Sequence, residues 1–92
     1  MKRASLRTQK GVIEVELDLQ DNKISTLKIT GDFFVYPEEA LEQFEEQLVG
    51  LPLDQEKLYH QISEIYSNEK ISTPGITIDD WVQVILKTCD NL

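Results

Sequence analysis

Hydrophobic positions along this chain change period once, from two to three-and-four, and the change divides it into a strand half and a helical half. Between Val12 and Leu19, Ile13, Val15, Leu17 and Leu19 alternate with Glu14, Glu16 and Asp18. Strict alternation of this length predicts a strand of a sheet with one buried and one wet face. Asp21-Asn22 follows, two residues that tolerate positive φ and suit a tight hairpin. The returning strand, Lys23 to Thr30, places Leu27 and Ile29 inward and Lys28 and Thr30 outward, with Lys28 across from an acidic residue of the first strand. Residues 3–8 supply a third, edge strand before Gly11.

Beyond residue 36 the spacing is helical. Pro37 suits a first helical position, and Glu38 and Glu39 behind it suit the positive end of the helix dipole. Leu41, Phe44 and Leu48 recur at three and four residues, and Gly50 with Pro52 stops the run. A second helix starts after Asp54 as N-cap, carries Leu58, Ile62, Ile65 and Tyr66 on one face, and ends at Asn68. The segment from Ser67 to Ile76 is a connector. A third helix begins at Thr77, with Asp80 completing a capping box and a stripe of Ile78, Trp81, Val82, Ile85, Leu86 and Cys89. Strands first and helices afterwards predict an α+β fold: a small antiparallel sheet of two or three strands, followed by three helices packed on one face. Residues 1–92 are expected to form a single domain.

Charge narrows the partners. The chain has 17 acidic and 9 basic side chains in 92 residues, a net charge of −8. That field repels phosphate backbones and anionic bilayers, so neither nucleic acid nor membrane is the expected partner, whereas a basic protein surface fits it. No apolar leader or stretch of membrane-spanning length occurs, and the cytoplasm is the expected compartment. A single cysteine, Cys89, excludes an intrachain disulfide framework and a cysteine-rich metal site. On the helical stripe it reads as a small buried hydrophobe.

The chemistry the residues omit is informative. Glycines 11, 31, 50 and 75 stand singly, as turns and caps rather than a phosphate-binding loop. His60 is the one histidine, on the second helix without a second ligand at metal spacing, and reads as a surface residue. Trp81 reads as core, and Glu38, Glu39, Glu42, Glu45 and Glu46 as a solvated helix face or a surface for a basic partner. No nucleophile, base and orienter can be assembled, so the chain is not expected to be a self-sufficient enzyme. Two adjacent aromatics, Phe33 and Phe34, follow Gly31-Asp32 at the exit of a strand. They are candidates for docking a partner, with Asp32 fixing the turn or meeting a basic residue across the interface. At least one of the two rings is expected to be internal.

Read in order, Lys10-Gly11-Val12-Ile13, Asp21-Asn22-Lys23-Ile24, Ile29-Thr30-Gly31-Asp32-Phe33-Phe34, Pro37-Glu38-Glu39-Ala40-Leu41-Glu42, Leu48-Val49-Gly50 and Thr73-Pro74-Gly75-Ile76 resemble the C-terminal accessory domain of lipoate–protein ligases. The resemblance runs from about residue 10 to 89, and its specific part is Gly-Asp-Phe-Phe followed by Pro-Glu-Glu. It implies a small α+β fold similar to iron–sulfur scaffold proteins. It also implies a split ligase, in which this chain is an accessory subunit forming a heterodimer with a separate catalytic subunit. That subunit would use ATP, Mg2+ and lipoate to form lipoyl-AMP and pass the acyl group to a lysine of a lipoyl carrier domain. The catalytic motifs are absent here, so the resemblance implies no catalytic residue, cofactor or metal on this chain, and an accessory role in adenylation. Asp32, Phe33 and Phe34, with Glu38, Glu39 and Glu42 as a polar rim, are the expected interface. The alternative is a sulfur or iron–sulfur scaffold protein, suggested by fold analogy and opposed by the lone Cys89.

Overall fold

Three strands, β1 (Lys2–Thr8), β2 (Gly11–Gln20) and β3 (Lys23–Gly31), are followed by three helices, α1 (Ala40–Leu48), α2 (Gln55–Glu69) and α3 (Ile78–Lys87). These come from a computed structural model, which describes residues 2–89. The strands form an antiparallel meander in the order β1-β2-β3, so the fold is α+β as the patterning predicts. The segment 3–8 is a full strand, paired with β2 from Lys2 opposite Leu17 to Thr8 opposite Gly11.

Both strand predictions hold, with one refinement. Asp21 and Asn22 have φ of 55° and 64°, so both turn residues are left-handed, as a two-residue hairpin of native twist requires. Asp18 pairs with Thr26 but Leu19 with Ile24, which leaves Ser25 as the extra residue of a bulge. Its hydroxyl donates to the Asp18 carbonyl at 3.1 Å. One inserted residue moves later side chains to the other face, and so Ile24, Leu27 and Ile29 are all buried at spacings of three and two. Strict alternation would have left Ile24 in water.

The helix boundaries differ from the expected ones at three places. Pro37 lies outside α1, whose first residue is Ala40. Tyr36 donates its N–H to the Ser72 carbonyl at 2.9 Å and accepts from the Ser72 N–H at 2.8 Å, so it is held as a strand residue. That pairing, with the extended conformation favoured before proline, leaves residues 37–39 to make a turn before the helix. Glu38 and Glu39 are therefore in the turn, and Glu42 is the acidic residue of the first helical turn. Asp54 does cap α2, accepting from the Lys57 N–H at 3.1 Å. The helix runs past Asn68 to Glu69, and Lys70 closes it in the left-handed conformation with φ 52°. The Lys70 and Ile71 N–H groups both reach the Tyr66 carbonyl, a closure that turns Ile71 into the core.

In α3 the Thr77–Asp80 capping box is complete, with bonds of 3.1 Å and 2.9 Å. Trp81, Val82, Val84 and Ile85 are buried, whereas Ile78 and Leu86 are half-buried. Cys89 lies in the turn beyond the helix and is half-buried, not a core residue of the stripe. The helix ends sooner because Thr88 folds in, its hydroxyl satisfying the Ile85 carbonyl at 2.7 Å.

Helix α3 lies across β1 and β2, α1 packs along β3, and α2 rests on both helices. A continuous cluster of buried apolar side chains joins the layers, with Ile13, Val15, Leu17, Leu48, Leu58, Ile62 and Ile65 wholly enclosed. The opposite face of the sheet is wet. Glu16 there lies opposite Lys28 and bonds to Arg3, which also approaches Glu14 at 4.0 Å. Among the described residues no helix is long and apolar enough to cross a membrane.

Candidate docking groove

The groove begins where β3 leaves the sheet. The Asp32 N–H donates to the Val12 carbonyl at 3.0 Å, holding the strand exit against β2. At Gly31 the backbone has φ 143°, and a Cβ there would lie 2.3 Å from the Val12 oxygen. Only glycine fits that approach. The chain then continues extended, so successive side chains take opposite sides: Phe33 and Val35 pack on the core, while Phe34 and Tyr36 face water.

The two phenylalanines therefore have separate fates. The Phe33 ring meets Trp81 edge to face at 5.5 Å, so it is partly internal and half-buried while still lining the groove beside it. Phe34 is 68% exposed and lies nearly parallel to Tyr36, itself 51% exposed, with ring centres 6.2 Å apart. Soluble proteins seldom leave adjoining large apolar side chains open without a use for them. Beside this pair runs an open groove of about 390 Å³, with Ile29, Gly31, Phe34, Tyr36, Glu38 and Leu41 among its walls.

Of the residues expected from sequence, Phe34 and Glu38 line this groove and Phe33 forms its inner wall, whereas Asp32 is exposed at the strand exit without lining it. Glu39 and Glu42 are exposed but do not line the groove. Tyr36 is a further member, and Glu45, expected on a solvated helix face or a surface for a basic partner, is instead half-buried against β3. Tyr36 stands two residues from Phe34, the spacing that puts side chains of an extended segment on one side, and that signal is visible in sequence. Glu45 is not visible in this way. Its carboxylate accepts the Ile29 N–H at 2.7 Å, which closes one rung of the outer edge of β3. That contact joins a helix to a strand 16 residues away.

A polar relay supports the groove from behind. Trp81 can only donate, so its Nε1–H gives to the Tyr66 hydroxyl at 2.7 Å. Thr73 donates to the Ile76 carbonyl at 3.0 Å, which leaves Tyr66 to donate to Thr73 at 2.7 Å. Each hydroxyl proton is thus used once. Burial pushes the Tyr66 hydroxyl pKa up, against the pull of its bonds to Thr73 and Trp81. Phe44 completes the packing, 5.3 Å from Trp81 and 6.2 Å from Tyr66. The relay ties α2 and α3 to the 70–76 connector, and Ser72 in that connector holds Tyr36.

Elsewhere the residues offer little reactive chemistry. His60 is exposed and approaches Glu64 at 3.2 Å, one helical turn away. Among the described residues, no group of three or more His, Cys, Asp or Glu side chains is arranged to hold a metal ion. What the exit of β3 offers is an apolar surface with an acidic border.

Comparison with known proteins adds three findings. Residues 1–85 match the family model described as bacterial lipoate protein ligase C-terminus. Lipoate-protein ligase A subunit 2 of Thermoplasma acidophilum is 37% identical over 79 residues, covering 86% of this chain and 81% of that protein. A solved structure of an archaeal lipoylation system from Thermoplasma acidophilum, a bi-partite lipoate protein ligase and its E2 lipoyl domain, contains a chain that superposes with a TM-score of 0.82. That chain is 35% identical, and the match covers 92% of this chain and 94% of it.

Proposed function

This chain belongs to the lipoate protein ligase C-terminus family, and we propose that it is the non-catalytic accessory subunit of a two-part, ATP-dependent lipoate–protein ligase. The observation that carries the reading is the likeness, over most of both chains, to a protein that is itself named as a second ligase subunit. The open groove with its exposed Phe34–Tyr36 pair supplies the kind of surface by which such a subunit would meet a partner.

In this reading ATP, Mg2+ and lipoate are handled by a catalytic partner in a cytoplasmic heterodimer, and lipoyl carrier domains meet that partner. The accessory chain contributes shape. Docked beside an active site, it excludes water and orders the loops that hold the adenylate, which needs no reactive group of its own. Phe34 and Tyr36 are the apolar anchors, Glu38 the acidic border, and Asp32, Glu39 and Glu42 the outer rim.

The test is reconstitution. The purified chain alone should neither form lipoyl-AMP nor modify a lipoyl domain, and adding it to the catalytic subunit should restore lipoyl-AMP formation. Full adenylation by the catalytic subunit alone would defeat the proposal.

A further inference from the structure

The outer edge of β3 is treated differently along its length. At its start Ile24 is fully paired, its N–H donating to the Leu51 carbonyl at 2.9 Å and its carbonyl accepting the Gly50 N–H at 2.7 Å. In the middle the Ile29 N–H is taken by the Glu45 carboxylate. At the end, Asp32 bonds inward to Val12, so the alternation of an antiparallel strand turns the peptide groups of Gly31 outward. Among the described residues β2 is the sole strand beside β3, and no backbone bond to that outward side of Gly31 occurs. The Gly31 backbone forms part of the groove wall, directly beside the exposed Phe34–Tyr36 pair and Glu38.

An open strand edge is normally covered, charged or shortened, because it templates pairing with another chain. Here Ile24 and the Ile29 N–H are met on that edge, Leu27 between them has no bond on its outward side among the described residues, and the rung at Gly31 is the one that opens into an apolar groove. We infer that Gly31 and the adjoining groove receive a short extended segment of the catalytic subunit, which adds to β3 as a strand and lays a basic side chain over Phe34 and Tyr36 against Glu38. The inference rests on the ligase-subunit reading and specifies how the two chains meet. Main-chain bonds at Gly31 would set register, and side-chain pockets would set specificity. The basic character of the segment follows from Glu38 on the groove wall, from the net charge of −8, and from the attraction of cations to aromatic faces.

Amide hydrogen exchange by NMR, on the labelled chain with and without the catalytic subunit, reads the rung directly. In the free chain the Gly31 amide should exchange quickly, and in the complex at least ~10-fold more slowly, as a new backbone hydrogen bond requires. Phe34→Ala and Glu38→Lys should each weaken the complex about 10-fold or more, with Glu64→Lys, remote on α2, as the unaffected control. A complex that forms while Gly31 exchange is unchanged overturns the strand addition and leaves the subunit assignment standing. Absence of any complex overturns both. Concentration-dependent protection of Gly31 in the chain alone would make the occupant a second copy, and overturn it too.

Discussion

Four inward-facing aromatics and two of the three exposed ones, Phe34 and Tyr36, lie within one short reach of the molecule and serve opposite ends. Phe33, Phe44, Tyr66 and Trp81 meet at centroid distances of 5.3 to 6.2 Å, steeply inclined to one another, and the one indole N–H and one phenol among them are hydrogen-bonded. Phe34 and Tyr36 lie nearly parallel and open to water, and stack on each other. Interior rings gain stability from burial and satisfied polar atoms. Surface rings keep their apolar area in reserve for whatever covers them. Sequence adjacency does not decide which a residue becomes, because Phe33 and Phe34 are neighbours. The direction of the backbone as it leaves Gly31 decides it.

Substitutions can break this contrast, beginning where the effect on stability is largest. Trp81→Ala removes a ring that touches both Phe33 and Phe44 and donates to Tyr66, and should cost about 3–5 kcal/mol in urea denaturation. A loss below about 1 kcal/mol would mean that the interior cluster is not the stabilising partner in the comparison. Next comes Tyr66→Phe. It preserves the ring but leaves the Trp81 N–H without an acceptor and Thr73 without a donor, for an expected loss of about 1–3 kcal/mol.

Tyr66 also makes a prediction about pH. Burial raises its folded-state pKa, so the neutral hydroxyl is favoured in the native protein. The resulting stability should be fully present below about pH 10, the unperturbed tyrosine value, and should fall as pH rises from there through the folded value. Tyr66→Phe should flatten this alkaline loss, measured by the denaturation midpoint between neutral pH and pH ~11. Equal alkaline sensitivity in both proteins would remove Tyr66 as its cause.

Thr77→Ala should cost about 1 kcal/mol by removing the cap of α3, with no effect on partner binding beyond that of lowered stability. The smallest stability effect is expected for the double substitution Phe34→Ala and Tyr36→Ala, within about 0.5 kcal/mol of the parent. This variant sharpens the contrast, since it should fold normally and yet, under the proposed function, fail to support adenylation by a catalytic subunit. Lost stability instead of lost activity would show that the exposed pair holds its own domain together.

Much of this molecule was legible from periodicity. Alternation located β2, the Asp21-Asn22 pair located the hairpin, and the capping residues Asp54 and Thr77 located the starts of α2 and α3. Of the residues singled out as an interface, Phe33, Phe34 and Glu38 line the groove at the β3 exit, where a paired aromatic beside charged residues is anomalous in any sequence. Tyr36 was overlooked although its spacing from Phe34 was readable. Three features lay beyond the pattern: the bulge at Ser25, the delayed start of α1 and the Glu45 contact to Ile29.

Local order, then, came from the sequence itself: side-chain period, turn residues and caps act within a few positions and need no distant contact. Tertiary structure decided which of two neighbouring rings turned inward, which residue began α1, and which rung of β3 opened into the groove. Those outcomes depend on hydrogen bonds from remote segments, the Ser72 backbone to Tyr36, the Val12 carbonyl to Asp32 and the Glu45 carboxylate to Ile29. A hydrogen bond between residues far apart in the chain leaves no periodic trace, and only the folded geometry assigns it.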